Sequence, residues 1–268
     1  MKILFIGDIM GDPGIQAVNE ALADFKERDK HYDFIVANVE NAASGFGINK
    51  DTWTKLLKFD FDCMTSGNHI WDKPDVSKYI NDQPKLLRPA NYPPGNPGFG
   101  WQIYESKEGV KVAVINIQGR VYMQSIDCPF QAADKILEKL NGDCEVIIVD
   151  FHADASSEKQ AMGWYLDGRV SAVIGTHTHV QTAETRVLPG GTGVITDVGM
   201  CGPYDSVIGM QVEDALFRLL KGRSNRLHLA SHNLKFAAVA LEIDETGGKC
   251  KSIDRMLINI PSVGDLEN

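Results

Sequence analysis

Gly175-Thr176-His177-Thr178-His179 follows the apolar run Ala172-Val173-Ile174. That run reads as a buried strand, so the two histidines stand at its carboxyl end, one residue apart. On an extended segment, or in the loop after it, this spacing lets both imidazoles enter one crevice. An H-x-H taken alone is a weak sign. Working outward from it, four other strand ends carry residues of the same kind. Asp8 closes a first strand at 2–7, Glu40-Asn41 a second at 33–39, and Gly67-Asn68-His69 a third at 61–66. Asp150-Phe151-His152 closes a strand at 145–149. Ligands of open α/β folds sit beyond the carboxyl ends of strands, so the five ends point to one shared polar crevice.

Between these ends, apolar β-rich runs alternate with amphipathic stretches. Val18, Leu22 and Phe25 share a face at spacings of four and three, which predicts a helix over 15–28 after a turn at Gly11-Asp12-Pro13-Gly14. Further helices are expected at 50–58, from about Pro74, at 130–140, 156–166 and 212–221. Strands at 101–105 and 110–117 flank the hairpin signal Lys107-Glu108-Gly109. Strands are also expected at 170–174, 185–188, 193–196, 236–243 and 251–257. Residues 83–100 hold five prolines and predict an extended loop. No repeat or linker interrupts the pattern. The expectation is a single α/β domain over 1–268 in which two mixed β-sheets pack face to face with helices outside.

Composition narrows the function classes. A net charge of −9 argues against a stable nucleic-acid partner, which needs a basic face. Two bound cations would add about +4 locally, so a small anionic substrate remains compatible with it. No segment reaches the roughly 20 apolar residues that span a bilayer. The short run at 3–6 ends at Gly7-Asp8 and does not read as a signal peptide. Five scattered cysteines without C-x-x-C spacing read as reduced thiols. The expectation is a cytoplasmic protein, and a homo-oligomer is left open.

The donor types then suggest the chemistry. Carboxylate, amide oxygen and imidazole without thiolate suit manganese, iron, zinc or cobalt better than an all-oxygen calcium or magnesium cage. One carboxylate between two cations can bridge them, and such a pair can activate water and steady an in-line displacement at phosphorus. A histidine beside the ions can protonate the departing oxygen. A dinuclear metal site that hydrolyses phosphoesters is therefore the leading reading. His31, His228 and His232 lack such company and are assigned to the surface or the core. Gly11-Asp12-Pro13-Gly14 lacks the ending of a P-loop, and no Gly-x-Ser-x-Gly elbow is present. The segment 199–205 is read either as a loop near the ligand or as a tight structural loop, and Cys201 is not taken as a nucleophile.

Gly7-Asp8, Gly67-Asn68-His69 and the stretch 175–179 resemble the strand-end blocks of the calcineurin-like metallophosphoesterases. Three positions depart from that broad family: Met10 where a ligand histidine is usual, Glu40 for a bridging aspartate, and Thr176 for a histidine. The departures are similar to one branch, the YmdB-like bacterial phosphodiesterases. So are the stretches 38–42, 150–153 with 157–159, and 196–203. The resemblance covers residues 1 to about 257.

It implies a four-layer αββα metallophosphoesterase sandwich and two metal ions, iron or manganese. One ion would be held by Asp8, Glu40, Asn41 and His179. The other would be held by Glu40, Asn68, His152 and His177, with Glu40 bridging and His69 as proton donor. The implied activity is hydrolysis of small cyclic nucleotides, such as 2′,3′-cyclic nucleotides at the 2′-phosphoester, by metal-activated hydroxide. A regulatory nucleotide- or RNA-binding protein with a non-catalytic metal centre stays open as an alternative. So does a metallophosphatase or nuclease with another phosphoester substrate.

Overall fold

The chain begins β1 (Lys2–Ile6), β2 (Asp8–Ile9), α1 (Gly11–Glu27), β3 (Phe34–Asn38), α2 (Lys50–Leu56) and β4 (Cys63–Thr65). After two 3₁₀ turns it continues with β5 (Trp101–Glu105), β6 (Lys111–Gln118), α3 (Pro129–Leu140), β7 (Val146–His152), α4 (Ser156–Tyr165) and β8 (Ala172–Thr176). It closes with β9 (Thr185–Val187), β10 (Gly193–Ile195), β11 (Met200–Pro203), α5 (Val212–Lys221), β12 (Leu234–Ile243) and β13 (Cys250–Asn259). This computed structural model describes residues 1–261, so the last seven residues of the expected 1–268 unit lie outside the described residues.

The strands form two mixed sheets. The first runs β2-β11-β12-β1-β3-β4, with β13 on β12, and the second runs β5-β6-β7-β8-β10-β9. Each contains a parallel core: β1, β3 and β4 in one, and β6, β7, β8 and β10 in the other. Period-two alternation sorts the side chains. Ile3 and Phe5 of β1 pack with Val36, Val112, Val114, Ile148 and Ile174 between the sheets. Leu4 and Ile6 face the other way, onto Ala17, Val18, Ala21 and Phe25 of α1. On the far side, Ala133, Ile136 and Leu140 of α3 and Met162 of α4 cover Ala113, Ile115 and Val149. The order is helix, sheet, sheet, helix, as expected. Each fully buried Ile, Leu or Phe in these layers contributes roughly 1.5–3 kcal/mol.

Three local expectations are corrected. The helix expected from Pro74 is two 3₁₀ turns, Pro74–Lys78 and Ile80–Asp82, which bury only Val76 and Ile80. So short an apolar stripe cannot support a longer helix. The turn expected at 11–14 is the opening of α1, where Pro13 has no N–H to leave unsatisfied. A two-residue strand has no readable period, and the parallel pair β2–β11, with Asp8 opposite Met200, was not expected. The proline-rich stretch 83–100 contains no helix or strand and is tied down by single bridges from Leu86 to Met64 and from Leu87 to Phe99. No helix among the described residues is long and apolar enough to cross a membrane.

Candidate metal centre

The carboxyl ends of β1, β3 and β4 meet those of β7 and β8, and the backbone geometry there is tight. A Cβ on Gly7 would come 2.2 Å from Gly199 O, so only glycine lets the chain pass from β1 into Asp8. Asp8 is fully buried. Its Oδ2 accepts from His177 N (3.1 Å), while Oδ1 has no partner. Gly67 leaves similar room, since a Cβ there would stand 2.1 Å from His152 Nε2 and 2.4 Å from Glu40 Oε2.

His152 Nε2 is the point of convergence. It lies 3.1 Å from Glu40 Oε1, 3.0 Å from Asn68 Oδ1 and 3.1 Å from His177 Nδ1. Beside it, Asn41 Nδ2 donates to Glu40 Oε1 (3.2 Å) and approaches His179 Nε2 (2.9 Å). Glu40 Oε2 accepts from His69 N (3.1 Å). The structure thus brings together Glu40, Asn41, Asn68, His152, His177 and His179, with Asp8 attached through the His177 backbone. His69 stands at the edge, its ring 5.1 Å from that of Phe46.

Further residues orient these groups. Thr176 Oγ1 donates its single proton to Asp150 Oδ1 (2.7 Å), so it must accept from His152 Nδ1 (2.8 Å). Asp150 Oδ2 is held in turn by Thr65 and by Asn38 Nδ2 (3.1 Å). That relay commits His152 Nδ1 as donor and turns Nε2 toward the cluster. His179 Nδ1 donates to Ile208 O (2.9 Å), and His69 Nδ1 to Asp72 Oδ2 (2.7 Å). His177 and His179 both adopt positive φ, 103° and 66°. Thr178 between them is clamped by its N–H (3.0 Å) and hydroxyl (2.8 Å) to Asp197 Oδ2. Asp197 also accepts from the buried Lys159 Nζ (2.5 Å).

Sequence reasoning singled out none of Asp150, Thr65, Asp197 or Lys159 for such a role. The usable signal was a polar residue at the last position of an otherwise apolar strand, as with Thr65 and Thr176. Segment 199–205 contains the buried β11, and Gly199 O accepts from Asp8 N (3.0 Å), so it is a structural element that adjoins the donors. Burial pushes the Cys201 thiol up to about 12. Met10 is buried and packed with Met200 and Met210. Of the remaining histidines, His31 and His228 pair with Asp29 and Asp214, and His232 is exposed.

Burial holds the Asp8 carboxyl well above its usual range, with Glu40 adding to the effect and His152 opposing it. Burial also raises Glu40, but His152, His69 and His177 more than offset this and bring it to about 2. Burial lowers His152, yet Glu40 and Asp8 carry it up to about 8. His177 is held down to about 3 by burial and by His152, and burial lowers His179 as well. This charge pattern fits a cation. One proton on His152 Nε2 can serve only one of the acceptors crowded around it, and nothing serves Asp8 Oδ1. A metal ion would satisfy the groups crowded around His152, and the neutral imidazoles of His177 and His179 are in the form that ligates. Within the group, Glu40, His152 and His177 each offer an atom within 4.8 Å of the others.

The chain is similar to several known proteins. The profile of the family described as YmdB-like protein matches residues 4–256. A 2′,3′-cyclic-nucleotide 2′-phosphodiesterase of Bacillus subtilis is 45% identical over 259 residues, covering 97% of each chain. The crystal structure of a hypothetical protein from Thermus thermophilus superposes with a TM-score of 0.90 at 41% identity, covering 97% of this chain and 100% of that one. A novel phosphatase from Mycoplasma pneumoniae gives 0.89 at 31% identity, covering 100% and 96%.

Proposed function

The chain belongs to the YmdB-like protein family, and from that premise we propose that it is a metal-dependent phosphodiesterase opening 2′,3′-cyclic nucleotides at the 2′-phosphoester. The observation that carries the reading is the crowding of Glu40, Asn68 and His177 around His152 Nε2, beside the unpartnered Asp8 Oδ1. A convergent donor set of this kind, buried at Asp8, Glu40, Asn41, His152 and His179, speaks for a working centre over a vestigial one.

In this proposal Asp8, Glu40, Asn41 and His179 would hold one ion, and Glu40, Asn68, His152 and His177 would hold the other. The donor chemistry suits manganese, iron, zinc or cobalt, and the family resemblance narrows the proposal to iron or manganese. Bound there, the ions supply positive charge toward the phosphoryl oxygens and acidify the attacking water. Asn41 now turns its Nδ2 toward both Glu40 and His179, so ligation through Oδ1 requires the amide to rotate. Asn68 spends Oδ1 on the cluster and keeps its Nδ2 protons for a phosphoryl oxygen. Water adds to phosphorus, the bond to the 2′-oxygen breaks, and His69 delivers a proton from Nε2 to that oxygen. The products are a free 2′-hydroxyl and a 3′-phosphate. Asp72, bound to His69 Nδ1, fixes the orientation of the ring. The proposed location is the cytoplasm.

The test uses chelated protein resupplied separately with Mn²⁺, Fe²⁺, Zn²⁺ or Mg²⁺, with 2′,3′-cyclic AMP as substrate. Metal-dependent formation of 3′-AMP is expected. His69→Ala should lower turnover by about 10²–10⁴-fold with metal content retained. No product with any metal would refute the substrate assignment, and full activity in the variant would refute the acid.

A further inference from the structure

Ile208 sits where its residue type is least at home. Val207 and Met210 exchange two backbone hydrogen bonds (2.9 and 3.0 Å) around a two-residue turn. Both turn residues have positive φ, 48° at Ile208 and 97° at Gly209. Such turns favour Asn-Gly, and a β-branched side chain in the left-handed region is strained. The strain is not repaid by burial, because Ile208 is 52% exposed. The Ile208 carbonyl does orient His179, but glycine or asparagine would present the same carbonyl at lower cost. The side chain therefore needs its own reason to be there.

That reason lies in the cavity it faces. A space of about 450 Å³ opens directly onto Glu40, Asn41, His177 and His179, and His69 lines it too. The apolar part of the wall is Phe46, Ile208, Met210, Leu219 and Leu227, and Asp154 and Arg218 also line the space. Its size falls in the range of small-ligand sites. Leu219 of α5 is 74% exposed, so it also shows apolar surface without structural need. Met10, which stands where the broad family has a ligand histidine, lines the cavity and packs against Met210. A polar end, which would accept an anion once the proposed metal ions are bound, and an apolar part of the same space match a sugar phosphate joined to a flat, uncharged ring.

We propose that the cavity walled by Phe46, Ile208 and Leu219 is the nucleobase subsite, and that Ile208 is kept in a strained turn to contact the base. This rests on the reading of the substrate as a nucleotide. It adds which end of the cavity takes the base and which residues set the affinity for it.

Calorimetry with metal-loaded protein tests it, using 3′-AMP and ribose 3-phosphate as the two probes. Wild-type protein is expected to bind 3′-AMP at least about tenfold more tightly, since apolar contact with a base adds to the phosphate contacts. Ile208→Gly and Leu219→Ala should each cut that ratio by about fivefold to tenfold. Ile208→Gly should at the same time leave the melting temperature unchanged or raise it, because the turn relaxes. Leu219 is exposed enough that its truncation cannot act through the core. A ratio near one in the wild type, or a ratio unaltered in both variants, would overturn the subsite. If the ratio behaves as expected but 2′,3′-cyclic AMP is not hydrolysed, the subsite stands and the proposed reaction fails.

Discussion

Thr176 Oγ1 has one proton to give and gives it to Asp150, so His152 can meet it only as a donor. That single constraint decides which ring nitrogen of His152 faces the cluster. Thr176→Val keeps the shape and removes the relay. Metal affinity should fall about 10–100-fold, measured by titration of the chelated protein with Mn²⁺, since groups that orient a ligand have effects of this size. An unchanged affinity would remove Thr176 from the centre. From the sequence, Thr176 was visible only as a departure from a family pattern. Its role depends on the pairing of β7 with β8, which sets His152 opposite Thr176. Nothing in a local stretch reveals that register. The ligand-type residues themselves were legible, because each ends an apolar run. The strain at Ile208 was not, because a backbone angle leaves no mark in composition.

At the scale of elements, α4, the β8 loop and the segment after β10 are joined by one carboxylate. Asp197 receives Lys159 from α4 and both polar groups of Thr178. Both members of the ion pair are nearly fully buried, 2% exposed on each side. Removing one partner leaves a charge without compensation, so Lys159→Met should cost about 3–5 kcal/mol in a denaturant titration. A loss below about 1 kcal/mol, the scale of surface pairs, would mean that the link does not hold the H-x-H loop. Most elements were readable from apolar periodicity, as α3 shows with Ala133, Ile136 and Leu140 on one buried face. The misreadings fall where periodicity has no room to operate. The two residues of β2 and the 3₁₀ turns after Pro74 are set by tertiary pairing and by loop packing.

Across the whole molecule, two mixed sheets place the ends of their parallel strands against each other, and the ligand-type residues of five strands collect at that seam. In a chain of net charge −9, cations bound there would ease the approach of a phosphoester to the seam. The two-sheet architecture could be read from the number and alternation of strands. The seam needed three dimensions, because it joins residues as far apart as Asp8 and His177.

The proposed centre would hold two metal ions with Glu40 shared between them, and its most direct test is metal content per chain after reconstitution and removal of free ion. Two equivalents are predicted for the wild type, about one for His179→Ala, and a loss of both for Glu40→Ala. One equivalent in the wild type, or two retained in Glu40→Ala, would contradict it.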